Sequence, residues 1–479
     1  MTYETVIGLE VHAELSTQSK IFCGCTTRFG GEPNTHVCAG CAALPGTLPV
    51  LNQAVVEHAV RAGIVTNCHI NRYSQFDRKN YFYPDLPRAY QVTQGYLPVC
   101  TGGYVEIPGE GGGKKKVRIN RIHMEEDAGK LIHDPWDDST LVDCNRGSMP
   151  LLEIVSEPDM RGAEEVLAYL EALRALLQYT GVSDCKMQEG SFRADVNLSV
   201  RPMGQEKLGV RTEIKNLNSF KAIARAIESE RERHIDCIEA NKPLFQETRR
   251  WDDAKGQTFA MRSKENAQDY KYFPDPDLPP VEISDEYIEQ VRASLPELPE
   301  ARRQRYTAAL GLPEADTEIL TGSVYLADLF EATCAVCGSP KDAANWILTD
   351  VLKLLNDSGT LPENMAFDQT SLGKLILMVK AGGVNRGTAR KVLEKVFSEN
   401  VEPAAYVQEK GLGLLTDTGA IRSVLEQVVA ENEKSVREYK NGKEQALQYL
   451  IGQSMKALRG QAPAQEVAKL LKEIINGTH

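Results

Sequence analysis

Residues 185–220 read CKMQEGSFRADVNLSVRPMGQEKLGVRTEIKNLNSF, and their spacing decides the fold class. Phe192, Ala194, Val196, Leu198 and Val200 alternate with Arg193, Asp195, Asn197 and Ser199. Val210, Thr212 and Ile214 alternate with Arg211, Glu213 and Lys215. A period of two places each set on one face of a strand. The stretch therefore predicts two strands joined by a loop, with one face apolar and packed and the other carrying carboxylates, an amide and cations. A face turned to water would account for one such strand, but the pattern recurs at two distant places. VIGLEVHAEL at 6–15 sets Ile7, Leu9, Val11 and Leu15 against Gly8, Glu10, His12 and Glu14. RIHMEED at 121–127 puts Arg121, His123, Glu125 and Asp127 on one face. Four such strands would present Glu10, His12, Glu125, Asp195 and Glu213 together, with Arg193 and Lys215 among them. Clustered oxygens with one imidazole suit a divalent cation such as Mg²⁺, and the cationic side chains suit phosphate.

The chain has 479 residues, enough for about three domains. Its 42% hydrophobic and 25% charged residues are those of an ordinary globular protein. No apolar run approaches the roughly 18 residues of a membrane span. The opening MTYETVIGLE has acids and no basic region, so no secretory leader is expected. Eleven cysteines in such a chain point to thiols and metal ligands rather than a disulfide framework, which places the protein in the cytoplasm. The net charge of −12 argues against chain-wide attraction to nucleic acid, although local charge can differ from the total.

IFCGCTTRFGGEPNTHVCAGC at 21–41 holds a C-x-C pair, Cys23 and Cys25, and a C-x-x-C pair, Cys38 and Cys41. Two close thiol pairs across a short loop can close one tetrahedral zinc site; unrelated buried or redox thiols are the alternative. Leu51, Val55, Ala59 and Ala62 fall at helical spacing, with Gly63 as the expected stop. FDRKNYFYPDLPRAYQVTQ at 76–94 is too dense in aromatic, proline and charged residues for a regular amphipathic element. It reads either as a loop pinned to a core or as a substrate-binding loop with Lys79, Tyr81 and Tyr83 as donors. GEGGGKKK at 109–116 departs from the phosphate-loop pattern and predicts a hairpin turn. VDCNRGSMPLLEIVSEPDM predicts a strand leading into a helix with Val166, Leu170, Leu173 and Leu177 buried before Gly181. Glu153 and Glu157 in this run are the kind of residue more often solvated or capping than catalytic, but both lie beside the candidate site in sequence order. Ser219 is placed to cap a helix over 220–241.

A domain boundary is expected near residue 292, after which helical stripes dominate, at 306–310, 324–330, 344–355 and 371–379. Cys334 and Cys337 have no second pair nearby and read as structural or free thiols. Residues 371–397 hold Lys374, Lys380, Arg386, Arg390, Lys391 and Lys395 against one acid, Glu394. Against an acidic chain this contrast favours nucleic-acid contact over a merely solvated face. Residues 431–479 read as two or three small helices.

VIGLEVHAEL, RKNYFYPDLP, YQVTQ, DAGKLIH, VDCNRGSMPLLEIVSEPDM, GVSDCKMQEGSFRADVNLSVR, TEIKNLNSF, QETRRWD, MRSKE and DYKYFPDPDLPP resemble the signature runs of the B subunits of aspartyl/glutamyl-tRNA(Asn/Gln) amidotransferases. The resemblance implies an α+β protein: a cradle-shaped catalytic domain around an antiparallel sheet (1–292), an all-α helical domain (293–405) and a small α-helical tail that helps choose tRNA (406–479). It implies ATP-dependent phosphorylation of the side-chain carboxylate of glutamate or aspartate misacylated onto tRNA, followed by displacement of phosphate by ammonia. No glutaminase nucleophile is evident in this chain. The ammonia is then expected from an amidase A subunit, with a small C subunit completing a heterotrimer. On this reading Glu10, His12, Glu125, Asp195 and Glu213 supply the Mg²⁺ positions. Arg193 and Lys215 neutralise phosphate, and Lys79 and Tyr81 bind substrate. Lys374 to Lys395 meet tRNA, and the four knuckle thiols hold structural Zn²⁺. One departure is visible: in PRAYQ, Arg88 and Ala89 stand where many relatives have lysine and glycine. It is not expected to touch the chemistry.

Overall fold

In the computed structural model, which describes residues 2–133, 137, 139–263, 270–414, 418–458 and 461–477, the chain forms two compact units, Met1–Pro299 and Glu300–His479. The MRSKE run at 261–265 extends into 264–269, outside the described residues.

The first unit is built on a sheet of ten strands among the described residues. Its centre is β1 (Tyr3–Glu14), β2 (Lys114–Glu126), β3 (Pro150–Ser156), β4 (Phe192–Pro202) and β5 (Thr212–Lys215). They lie in the order β5-β4-β1-β3-β2, each pair antiparallel. β5 begins at Thr212 rather than Val210, which is exposed outside the ladder. β3 has no place in the four-strand expectation, yet it separates β1 from β2. The inward faces behave as the period of two requires: Ile7, Leu9, Val11, Ile122, Met124, Leu152, Ile154, Ala194, Val196, Leu198 and Ile214 are all buried in one core.

Helices pack into this core, among them α1 (Gln53–Val65), α2 (Ala163–Tyr179) and α3 (Phe220–Glu239), and Ile288 and Val291 of the helix Asp285–Ala293 join them. Val166, Leu170, Leu173 and Leu177 of α2 are fully buried, as their spacing predicts. The Ser219 side chain accepts the Ala222 N–H and caps α3. Gly63 does not stop α1. It lies inside the helix, where a Cβ would come within 2.5 Å of Cys100 Sγ, so the glycine serves close packing rather than termination. Residues 76–94 also differ from the expected loop. Asp77–Asn80 and Tyr90–Thr93 pair as antiparallel strands, because ladder bonds need no amphipathic alternation. Asp77 Oδ2 accepts the N–H groups of Gly95 and Tyr96 and fixes the end of this hairpin. GEGGGKKK forms the expected turn between Tyr104–Pro108 and β2.

The second unit is helical throughout. Tyr306, Phe330, Ile347 and Leu372 share one core, with Val407 packed in it. Ile421, Leu425, Leu450, Val467 and Leu471 form another. Ile347–Val351 is a single π-helical turn. The architecture is α+β, a sheet-rich region followed by helices. No single helix among the described residues is long and apolar enough to cross a membrane.

Candidate active site

The polar face of the sheet is organised in rows across the strands. Strand pairing places Arg193 of β4 beside His12 of β1, His12 beside Glu153 of β3, and Glu153 beside His123 of β2. His12 Nε2 lies 3.5 Å from both Glu125 and Glu153, while His123 Nε2 lies 3.2 Å from Glu153 and 3.6 Å from Glu125. His12, Glu125 and Glu153 offer donor atoms all within 4.8 Å of one another. Burial opposes the charged imidazolium, but the carboxylates outweigh it. His12 is raised above its ordinary range and His123 to about 9, while Glu153 is held well below the usual carboxylate range. A dication held by these donors would compete with protons for the imidazole nitrogens.

Two residues before His12 in β1, Glu10 is paired with Asp195. Glu10, Asp195 and Glu213 form a second donor group of the same compactness. Asn197 donates to Glu10 at 2.9 Å, and Thr248 to Glu213 at 2.7 Å. Lys215 Nζ lies 2.5 Å from Asp195 and 2.9 Å from Glu213. The five residues expected to share one site therefore divide between two adjacent groups. One has imidazole and carboxylate donors, the other carboxylates alone. Both donor sets suit a divalent cation, the second being the harder. Glu153, expected to be solvated or capping, instead stands between the two histidines.

The expected cations are present but engaged. Arg193 is 3.1 Å from Asp127, which Arg146 also contacts, and Arg146 reaches Glu14 at 3.2 Å. The Asp77–Thr93 hairpin lies against the first donor group, since Thr93 donates to Glu125 at 3.3 Å. Lys79 Nζ stands over the rings of Tyr270, at 4.9 Å, and Tyr81, at 5.9 Å. Burial, with the charges of Asp85 and Glu125, raises the Tyr81 hydroxyl above its ordinary range. Arg88, in the departing PRAYQ run, is 3.3 Å from buried Glu126 and donates to the Gly40 carbonyl, so it ties the cysteine loop to β2.

The four cysteine sulfurs of that loop also lie within 4.8 Å of one another. Cys41 Sγ is 3.9 Å from those of Cys25 and Cys38, close to the roughly 3.8 Å edge of a tetrahedron with 2.3 Å metal–sulfur bonds. The hydrogen bond from Cys23 holds the Cys41 thiol well below the usual range, whereas burial raises that of Cys25. The loop is docked on residues 142–145: Asn34 bonds to Asp143 and Val142, and His36 N–H to Asn145.

In the helical unit the cations of 371–397 are mostly paired. Lys380 is 2.7 Å from Asp342. Arg390 and Arg386 share Asp350 at 2.7 and 3.3 Å. Lys395 pairs with Glu399, and Lys374 with Glu402. Lys391 is exposed and makes no ion pair among the described residues. The acids that answer this run lie outside it in sequence, beyond the reach of a local charge count.

Comparison with known proteins agrees along the whole chain. Residues 5–289 match the GatB/GatE catalytic domain and residues 328–475 the GatB domain. The chain is 56% identical to the B subunit of the aspartyl/glutamyl-tRNA(Asn/Gln) amidotransferase of Lachnoclostridium phytofermentans, with 99% of each chain covered. It is 54% identical to that of Agathobacter rectalis and 52% to that of Caldicellulosiruptor saccharolyticus, again over 99% of each chain. With its catalytic-domain match spanning the sheet that carries both donor groups, the chain belongs to the GatB/GatE family.

Proposed function

We propose that this chain acts as the B subunit of a glutamine-dependent tRNA amidotransferase, a ligase that forms carbon–nitrogen bonds (EC 6.3.5.-). The observation that carries the proposal is the pair of donor groups side by side on one sheet face, with Lys215 and Arg193 at their margins. The substrates are Glu-tRNA(Gln), Asp-tRNA(Asn) or both. ATP gives its γ-phosphoryl group to the side-chain carboxylate and leaves as ADP. Ammonia nitrogen then bonds to the activated carbonyl carbon, phosphate departs, and the nitrogen sheds a proton, giving the amide.

Phosphoryl transfer asks a protein mainly for positioning and charge neutralisation. Glu10, Asp195 and Glu213, and His12, Glu125 and Glu153 beside them, would hold Mg²⁺, which when bound neutralises phosphate charge. Lys215 and Arg193 add fixed positive charge. Lys79, set among Tyr81 and Tyr270, is placed for the reacting carboxylate or the incoming ammonia. Cys23, Cys25, Cys38 and Cys41 would hold Zn²⁺ in a closed, structural site. We assign the chemistry to 1–292, tRNA contact through the Lys374–Lys395 run to 293–405, and discrimination among tRNAs to 406–479. An amidase A subunit would supply ammonia and a small C subunit would complete a cytoplasmic heterotrimer.

The test uses the assembled complex. Glu125→Ala, Glu153→Gln and Glu213→Ala should each abolish tRNA-dependent ATP cleavage while glutamine hydrolysis by the partner continues. ATP-dependent amidation surviving in folded variants would make this sheet a binding face instead.

A further inference from the structure

Lys20 precedes the first knuckle cysteine, and its side chain is fully buried. Its Nζ stands 3.9 Å from Cys41 Sγ and 3.4 Å from the Cys144 carbonyl oxygen. Among the described residues no carboxylate pairs with it. Its own backbone is pinned: the Lys20 N–H donates to the Cys25 carbonyl at 2.9 Å, so the stem cannot swing away without opening the loop.

A lysine is almost never fully buried without an anion, and a carbonyl oxygen is none, so the negative charge that answers Lys20 has to sit on the knuckle sulfurs. Four thiolates around a dication are different. They carry two net negative charges at a site whose ligand Cys41 is itself buried. An ammonium answered by one sulfur in a metal-free loop is better placed beside a metal tetrathiolate. We propose that Lys20 is the built-in counter-cation of a metal–tetrathiolate at Cys23, Cys25, Cys38 and Cys41, donating an N–H to the Cys41 sulfur and cancelling half of the cluster's net charge. The proposal rests on the reading of these four thiols as a metal site. Lys20 is a positioning residue there: it touches a ligand, not the metal. Because the same ammonium also donates to the Cys144 carbonyl, it links the charge of the cluster to the 142–145 segment on which the loop is docked.

The test compares the full-length wild type with Lys20→Met and Lys20→Arg, using zinc as the probe. Transfer of zinc to a chromogenic chelator should show Lys20→Met releasing it about tenfold or more readily, in the range of other residues that support metal ligands. Lys20→Arg should stay close to wild type. Thermal midpoints with zinc bound and after chelation separate charge from packing. Lys20→Met should lower the midpoint of the zinc form and leave unchanged or raise that of the zinc-free form, where the cation has no dianion to face. Zinc held by Lys20→Met as tightly as by wild type, equal losses of midpoint in both forms, or zinc loss in Lys20→Arg would each overturn the proposal. Should Lys20→Met fail to fold, the arginine variant still decides. A folded wild type that takes up no zinc and titrates all four thiols would instead overturn the metal reading itself.

Discussion

Ala89 holds φ at +60°, a left-handed conformation that costs an L-residue about 1–2 kcal/mol. The family resemblance marks this position as one where many relatives carry glycine. Ala89→Gly should therefore raise stability by about 0.5–1 kcal/mol, the relieved strain less the added entropy of the unfolded chain. A denaturant midpoint that falls in this variant would count against that account. The neighbouring Arg88 shows where residue-level reading runs short. In sequence it is a departure with no expected bearing on the chemistry; in space it bridges Gly40 and Glu126, next to Glu125. Glu153 escapes sequence reasoning for a related cause. Leu151 and Val155 share its strand face, so PLLEIVS lacks the polar alternation that discloses Glu10, His12, Asp195 and Glu213. Only the pairing of β3 with both β1 and β2 gives Glu153 its two histidines, and pairing partners are not written in local spacing.

Individual elements are more legible, because period two and helical spacing are local. β1, β4, α2 and α3 follow their patterns closely, whereas Gly63 and the 76–94 hairpin depend on what packs against them. How α3 is fastened also becomes visible only in the structure. Glu230, fully buried, accepts from Arg233 at 2.5 Å and from Thr258 at 2.6 Å, and lies 3.2 Å from His234, which bonds Thr212 of β5. Burial pushes its carboxyl up, but the bonds from His234, Arg233 and Thr258 outweigh it and bring it down to about 2 from 4.5. A depressed carboxylate stabilises the fold above its unfolded value and loses that contribution as pH falls through the folded one. Glu230→Gln should cost on the order of 3 kcal/mol near neutrality. It should also remove the part of the acid-induced loss that falls between pH 4.5 and about 2. Acid unfolding curves of equal steepness in variant and wild type would show that α3 is held by its apolar face alone.

For the whole molecule, the basic run at 371–397 is less positive in space than in sequence, since Asp342 and Asp350 draw on three of its cations. Replacing Lys380, Arg386 and Arg390 with alanine should still weaken accepted and rejected tRNAs alike and raise the KM for charged tRNA, because phosphate contacts position without reading sequence. The salt slope should flatten by less than the roughly 2 to 3 units that three fully committed contacts would give. Turnover at saturating tRNA should hold; its loss with an unchanged slope would reassign the run to a structural face or a partner contact. The central place of β1 carries a different consequence. Its two neighbours are β3 and β4, which end at Ser156 and Pro202. At about 5–20 residues per second, a ribosome that has finished β1 needs roughly 10 to 40 s to reach the end of β4. Both hydrogen-bonding edges of this strand are open until Ser156 is made, and one stays open until Pro202, so synthesis speed and chaperone cover over the first two hundred residues govern the yield of folded protein.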